Sequence, residues 1–271
     1  MKAYINAIGL QANGLEGWTN SQTILTAQQP YQAKPLSKYS PLFLPANERR
    51  RATSTIKLAL RTAEETLQNA DKQTKPVPTL FACVDGDTEI SAKMTSAILM
   101  DEPMVSPIHF HNSVHNAPAG YWMIGQKNQQ AASAISAGEY QIATLFLEAM
   151  SQLSKEQPEI LLIAYDLPID PVIESITQPR NPFAFGLLLS LYASSQNIAE
   201  INTKIINKSI TTRSISDWFG DNQAAQFLPV LKALAKKQHY VIEFALSKTL
   251  SHQLTVKYSG RNILKNMTHF N

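Results

Sequence analysis

AASAISAGEY, residues 131–140, decides how this chain is read, together with HNAPAGYW, residues 115–122, a short distance before it. Ser136 and Glu139 stand at the S-x-x-E spacing of a capping box, in which the serine caps the helix and the glutamate reaches back to its N–H. Ile135 and Tyr140 are placed for the hydrophobic staple that accompanies such a cap. The spacing predicts a helix that begins near Ala137 and directs its positive end at residues 134–136. A helix end lowers the pKa of a nearby thiol, so this is a place for a nucleophile. The chain carries Ile135 there.

The surroundings of this elbow read as strands alternating with helices. Residues 1–10 alternate as a strand, with Tyr4, Asn6 and Ile8 against Ile5, Ala7 and Gly9. Residues 11–48, rich in Gln, Pro, Ser and Asn, read as a long excursion with at most short helices. Pro45 opens a helix to about residue 70, with Ile56, Leu58, Leu60, Ala63 and Leu67 at helical spacing. PVPTLFACV (76–84) is a buried strand and SAKMTSAILM (91–100) the next helix. SPIHFHNSVHNAPAGYWMIG (106–125) runs from strand or loop into a helix interrupted by Pro118. Residues 137–153 form a helix apolar on nearly every side, and hence a buried one.

EILLIAYD (159–166) reads as a central parallel strand. AFGLLLSLYA (184–193) is another strand, INTKIINKSI (201–210) a weaker one, and residues 222–237 are helical. HYVIEFALS and HQLTVKYS close the pattern as a hairpin. Strands alternating with helices predict a layered α/β fold. No internal repeat or low-complexity block appears, and the best domain boundary is the polar stretch near residues 195–200.

With 271 residues and 44% hydrophobic content the chain can bury a full core, and 17% charged residues argue against long solvated runs. A net charge of +3, with no basic stripe interleaved with aromatics, does not point to nucleic acid. Cys83 is the single cysteine, which excludes an internal disulfide and a cysteine zinc site and suits a reducing compartment. MKAYINAIGL is too short and polar for a signal peptide. No apolar run approaches the roughly 20 residues of a membrane helix. The expectation is a cytoplasmic protein with no membrane span.

The run SPIHFHNSVHNAPAGYW resembles the β-ketoacyl synthase segment S-P-x-x-x-x-x-x-x-N-x-x-A-G-x-x, matched by Ser106, Pro107, Asn116, Ala119 and Gly120. In that family a nucleophile elbow of the T-A-C-S/T-S-G type comes next, then a long buried helix. Aligned on Gly138, the elbow cysteine falls on Ile135. ERRRATSTIKLALRTAEETL resembles the family's early helix, LFACVDGDTEI its first core strand and turn, and AYDLPIDPVIES and NPFAFGLLLS the strands after the elbow helix. The resemblance covers residues 1–195. It implies a thiolase-like αβα layered half of a ketosynthase fold. Residues 1–271 then form one ketosynthase N-terminal-like domain, of which 196–271 is a divergent C-terminal part.

The departures are part of the resemblance. The elbow around Ile135, Ser136 and Gly138 lacks its nucleophile, and too little chain comes after residue 195 for a second half with two catalytic histidines. The pattern resembles the short form of chain-length factor found in aryl polyene pathways. Such a subunit is non-catalytic and needs no cofactor or metal. Its partners are a catalytic ketosynthase subunit and, through the complex, an acyl carrier protein. Ile108, His109, Phe110 and Asn116 fall in the segment that flanks the interface and the acyl tunnel, with Asp87 and Thr88 as further candidates.

Blander readings stand beside these. His109, His111 and His115 form H-x-H-x-x-x-H, a pattern open to metal but with no carboxylate inside it. Cys83 sits in an apolar strand, where cysteine acts as a small hydrophobe. Gly86, Asp87 and Thr88 read as a turn, and Arg49, Arg50 and Arg51 as a solvated helix start or a steering patch for an acidic carrier protein. A free-standing Cys/His enzyme, a His-metal hydrolase and a pocketless interaction protein remain as rivals.

Overall fold

The computed structural model describes residues 1–70, 76–102, 104–171, 181–210 and 217–259. Strand β1 (Lys2–Ala12) is buried along nearly its whole length, on both faces. It lies inside one mixed sheet with β2 (Leu15–Glu16), β3 (Thr79–Ala82), β4 (Ala132–Ile135), β5 (Glu159–Asp166), β6 (Phe183–Ser190), β7 (Ala199–Ile206), β8 (Tyr240–Ala245) and β9 (Ser251–Tyr258), in the order β4-β3-β5-β6-β1-β7-β9-β8. β3 runs parallel to β4 and β5, whereas β6 is antiparallel to both β5 and β1. Four parallel strands and one reversed strand thus make the core, and an antiparallel extension lies on the far side of β1. β5 is central, as its continuous apolar run predicts, with a parallel neighbour on one side and an antiparallel one on the other.

Helices cover both faces, giving the three-layer αβα arrangement. One layer holds α1 (Trp18–Leu25), α7 (Gln141–Gln152) and α8 (Leu228–Ala235), packed with Phe183, Phe185, Phe219 and Phe227. The other holds α3 (Ser54–Asn69) and α6 (Ala117–Gln126), packed with Phe81, Tyr165 and Leu188. The remaining helices, α2 (Ala46–Arg51), α4 (Thr88–Ile98) and α5 (Pro107–Asn112), are short or peripheral.

α3 comes unusually close to the sheet. Gly9 on β1 and Gly186 on β6 are register partners, and α3 crosses them at Thr66. A Cβ at Gly9 would lie 2.8 Å from the Thr62 carbonyl oxygen, and one at Gly186 would lie 2.8 Å from Ile163 Cδ1; both would collide with Thr66 Oγ1. The helix face here is Ala59, Thr62, Ala63 and Thr66, all buried. The two hydroxyls are satisfied within the helix, Thr62 donating to Leu58 O at 2.9 Å and Thr66 to Thr62 O at 2.7 Å. Paired glycines and small helix residues therefore act as a notch and its key.

Three expectations are corrected. The single helix over residues 45–70 is two helices, because Ala52 is extended and Thr53 caps α3 by accepting the Ile56 N–H at 3.3 Å. Pro118 does not interrupt a helix but sits in the first turn of α6, where its missing N–H leaves no bond unmade. Residues 195–200 mark no break in the sheet, since β7 pairs directly with β1 from Lys2↔Asn202 to Ile5↔Ala199. The hairpin of β8 and β9 forms as expected. The part of the AYDLPIDPVIES match beyond residue 171 lies outside the described residues.

The notch makes a direct prediction. Gly186→Ala should lower unfolding stability by about 1–3 kcal/mol, the usual cost of overpacking, seen as an earlier urea midpoint at unchanged slope. Thr66→Ala removes the colliding oxygen and should recover part of that loss in the double variant. Strictly additive losses would sink the notch interpretation.

Candidate functional site

β4 delivers Ile135 to the end of the parallel sheet, beside the end of β3. The chain then turns through Ser136 and Ala137 into a 3₁₀ turn (Gly138–Tyr140) before α7 begins at Gln141. Gly138 has φ 54°, a left-handed backbone that favours glycine.

The capping box is not formed. Ser136 Oγ instead donates to Val84 O at 2.7 Å, bridging to the loop after β3. Gln141, wholly buried, takes over the local polar groups: its Oε1 accepts the Ala137 N–H at 2.6 Å and its Nε2 donates to Ile135 O at 3.4 Å. α7 therefore begins six residues past Ile135 in sequence, with the 3₁₀ turn between them.

The Ile135 carbonyl gathers the site. It accepts the Cys83 N–H at 3.3 Å and a bond from His115 Nε2 at 3.0 Å. A carbonyl only accepts, so this imidazole carries its proton on Nε2. The Ile135 side chain is half-buried and packs on the core beneath α7. A hydrocarbon side chain can neither attack nor donate, and Ser136 spends its hydroxyl on a carbonyl with no base bonded to it. Among the described residues the elbow holds no nucleophile–base pair.

Cys83 does not replace it. The thiol is 1% exposed, and it donates to Asp166 Oδ1 at 3.4 Å. Burial first, and then the Asp166 charge, push its pKa well above the ordinary value of 9.0. A thiol held protonated in this way is inert. The Cys/His enzyme has no support here.

Asp166 is a site residue with no counterpart among the sequence expectations. It ends β5, and its carboxylate accepts the Val84 N–H at 2.8 Å and the Ala224 N–H at 3.1 Å. Its carbonyl accepts from Asn222 Nδ2 at 2.9 Å. One buried carboxylate thus ties the ends of β3 and β5 to the turn that precedes α8. The available signal was an acidic residue that closes the apolar run of β5.

The predicted tunnel residues are spread over three helices, α4, α5 and α6, and their caps. His109 on α5 lines a groove of about 440 Å³ together with Met94, Ala97, Met104 and Val105, with Lys93 and Asp170 also bordering it. Ile108 and Phe110 are 43% and 65% exposed and do not line that groove. Successive helical residues point about 100° apart, so three in a row cannot share one wall. Asn116 is exposed at the start of α6. Asp87 caps α4 by accepting the Ile90 N–H at 3.1 Å, and Thr88 Oγ1 accepts the Asp170 N–H at 3.0 Å.

The three histidines do not converge. His109 borders the groove, His111 packs edge-on against Tyr121 with ring centroids 6.1 Å apart, and His115 bonds Ile135. Among the described residues no cluster of three His, Cys, Asp or Glu side chains is placed to hold a metal ion. No described helix is long and apolar enough to cross a membrane.

The family described as "Beta-ketoacyl synthase, N-terminal domain" matches residues 18–248. The chain belongs to this family. No curated protein matches it by sequence. Among solved structures, it is similar to a chain of the ketosynthase–chain length factor complex of Xenorhabdus doucetiae, with TM-score 0.70 and 21% identity over 94% of this chain and 99% of that one. It is also similar to the ishigamide ketosynthase/chain length factor, with TM-score 0.73 and 10% identity over 96% and 100% of the two chains. A β-ketoacyl synthase from Burkholderia phymatum gives TM-score 0.71 and 9% identity over 96% and 100%. These likenesses establish a thiolase-like ketosynthase fold, the one that the run from Ser106 to Gly120 implies.

The state of Cys83 is open to a direct check. In the folded protein it should resist thiol-specific alkylation at neutral pH, and it should react fully once denaturant exposes it. Rapid labelling of the native protein would refute the buried, protonated thiol.

Proposed function

We propose that this chain is the non-catalytic, chain-length-factor subunit of a ketosynthase pair. The observation that carries the reading is Ile135 at the elbow of a β-ketoacyl synthase family chain whose only cysteine is sealed in the core. A catalytic ketosynthase partner would supply the thiol. The wall that this chain adds to the partner's acyl tunnel would limit chain growth, in decarboxylative condensation on a carrier protein. The setting proposed is a cytoplasmic, aryl polyene type of pathway. Residues 1–271 are taken as one ketosynthase N-terminal-like domain with a divergent part from residue 196.

The surface around the elbow supports a protein partner. β4 is an outer strand of the sheet, and no other described strand pairs with its far edge. Beside it, α6 turns Asn116, Gly120 and Ile124 to solvent at i, i+4 and i+8. Ile98, Leu99, Met100, Met104, Phe110 and Val114 are exposed nearby in sequence. Exposed apolar groups in this number, and an open strand edge, both favour an interaction surface. Residues 27–57 hold six cations (Lys34, Lys38, Arg49, Arg50, Arg51, Lys57) against one anion, Glu48, which favours an acidic partner such as a carrier protein.

The test is reconstitution. Alone, the chain should form no acyl-thioester and condense no malonyl units. Co-expressed with its ketosynthase it should give a one-to-one complex with an obligate-type interface of roughly 2,000 Å² or more. A monomer that ignores the ketosynthase would end the assignment.

The groove also makes length control testable. His109→Ala should lengthen the carrier-bound product by at least one two-carbon step, and Ala97→Phe should shorten it. One methylene in an apolar pocket is worth about 1–3 kcal/mol. Phe110→Ala and Ile108→Ala test the neighbouring α5 positions. Mass spectrometry of products from intact complexes reads the outcome. Unchanged distributions at all four positions would place length control elsewhere, with Asp87 and Thr88 next.

A further inference from the structure

His252 on β9 is 1% exposed. Register places it on the inner face of the C-terminal extension, between Ile205 of β7 and Phe244 of β8. Leu254 and Val256 continue that face into the core beneath α7. Among the described residues no side chain bonds either ring nitrogen of His252, whose one polar contact is with the Ala143 main chain of α7, and Thr203 Oγ1, one register pair away on the same face, is buried without a partner. A neutral imidazole tolerates such a place at the cost of its unmade bonds. A buried imidazolium with no counter-ion beside it costs far more.

No counter-ion waits for it among the described residues. Glu243 of β8 and Lys204 of β7 are both register partners of Gln253, and so stand on the opposite face. Glu200 and Lys257 pair with each other on that same outer face. Glu148 of α7 accepts from Gln152 Nε2 at 2.7 Å, and Lys232 of α8 lies over the Trp218 ring at 3.9 Å. Glu139 of the 3₁₀ turn is exposed, its neighbour Tyr140 is half-buried, and Tyr240 stands four residues along β8 from Phe244. The charge that acts on the ring is another cation, the Met1 ammonium, which donates to Thr203 O at 2.7 Å.

We infer that the β8–β9 hairpin is a proton-released brace: it stays docked on α7 and on the Gly138–Tyr140 turn only while His252 is uncharged. The connection to the elbow is short, because β8 packs against both α7 and that turn. Burial holds the His252 pKa below the ordinary 6.5, opposed by a hydrogen bond with the Ala143 main chain and aided, least of the three, by the Met1 ammonium. The docked imidazole is therefore the weaker base. Docking is at full strength above pH 6.5 and weakens as pH falls from there through the docked-state value. Each pKa unit between the two states is a tenfold change in the opening equilibrium.

Hydrogen exchange read by mass spectrometry on the intact chain, at about pH 7.5 and about pH 5.5, tests this once intrinsic rates are corrected. Peptides over 240–258 and 138–146 should exchange at least about threefold faster at the lower pH, while those of β1 and β5 stay unchanged. His252→Phe should remove the difference; if that variant fails to fold, His252→Gln, which stays neutral at both pH values, takes its place. An NMR titration of the wild-type ring should give a midpoint below 6.5. A wild-type hairpin equally protected at both pH values overturns the brace. So does a pH effect that persists in a folded variant, or a ring that titrates at or above 6.5.

Discussion

The close seating of α3 on the Gly9–Gly186 pair sets the geometry of much of this fold. A helix normally stands off a sheet by the depth of its side chains. Here two facing glycines and a strip of Ala and Thr let the backbones approach more nearly, and packing of this density transmits position. α3 in turn packs against α6, and α6 packs against β3 and β4. The notch thus sets where the elbow stands relative to the sheet, although it contributes no atom to it.

A second constraint acts at the other end of the strands. The Asp166 carboxylate is held by main-chain N–H groups from two separate segments. Buried charge is tolerated only when it is so bonded. The arrangement makes the residue a strut, and its field adds to burial in keeping the adjacent Cys83 protonated. The same atoms that stiffen the end of β5 thereby silence the one thiol in the chain.

Much of the layered fold was legible in the sequence, because continuous apolar runs such as EILLIAYD and FAFGLLLS admit few fates other than a strand covered on both faces. The helix from 141 to 152 was legible for the same reason. What could not be read were contests between local and distant hydrogen-bond partners. Ser136 has the spacing of a cap, yet Val84, 52 residues away, offers it a carbonyl, and Gln141 satisfies Ala137 in its place. Ala52 and Thr53 break a pattern whose apolar period runs straight through them. Ile108, His109 and Phe110 could be named as a segment, but only the onset of a helix at Pro107 separates the one that faces the groove from the two that face solvent. The family resemblance located the elbow at Ile135 without either the Asp166 strut or the His115 bond.

The short outer strand β4 has a consequence for how the chain behaves in a cell. Among the described residues no strand pairs with its outer edge, which lies beside α6. Whatever binds that rim binds only the folded form, so by mass action it adds to stability in proportion to its abundance, by about 2.7 kcal/mol when present at a hundredfold over its dissociation constant. The lifetime of the chain is then not a property of its own sequence alone. It would be shared with any occupant of that edge, and a surplus of copies over occupants would become the fraction exposed to aggregation and proteolysis.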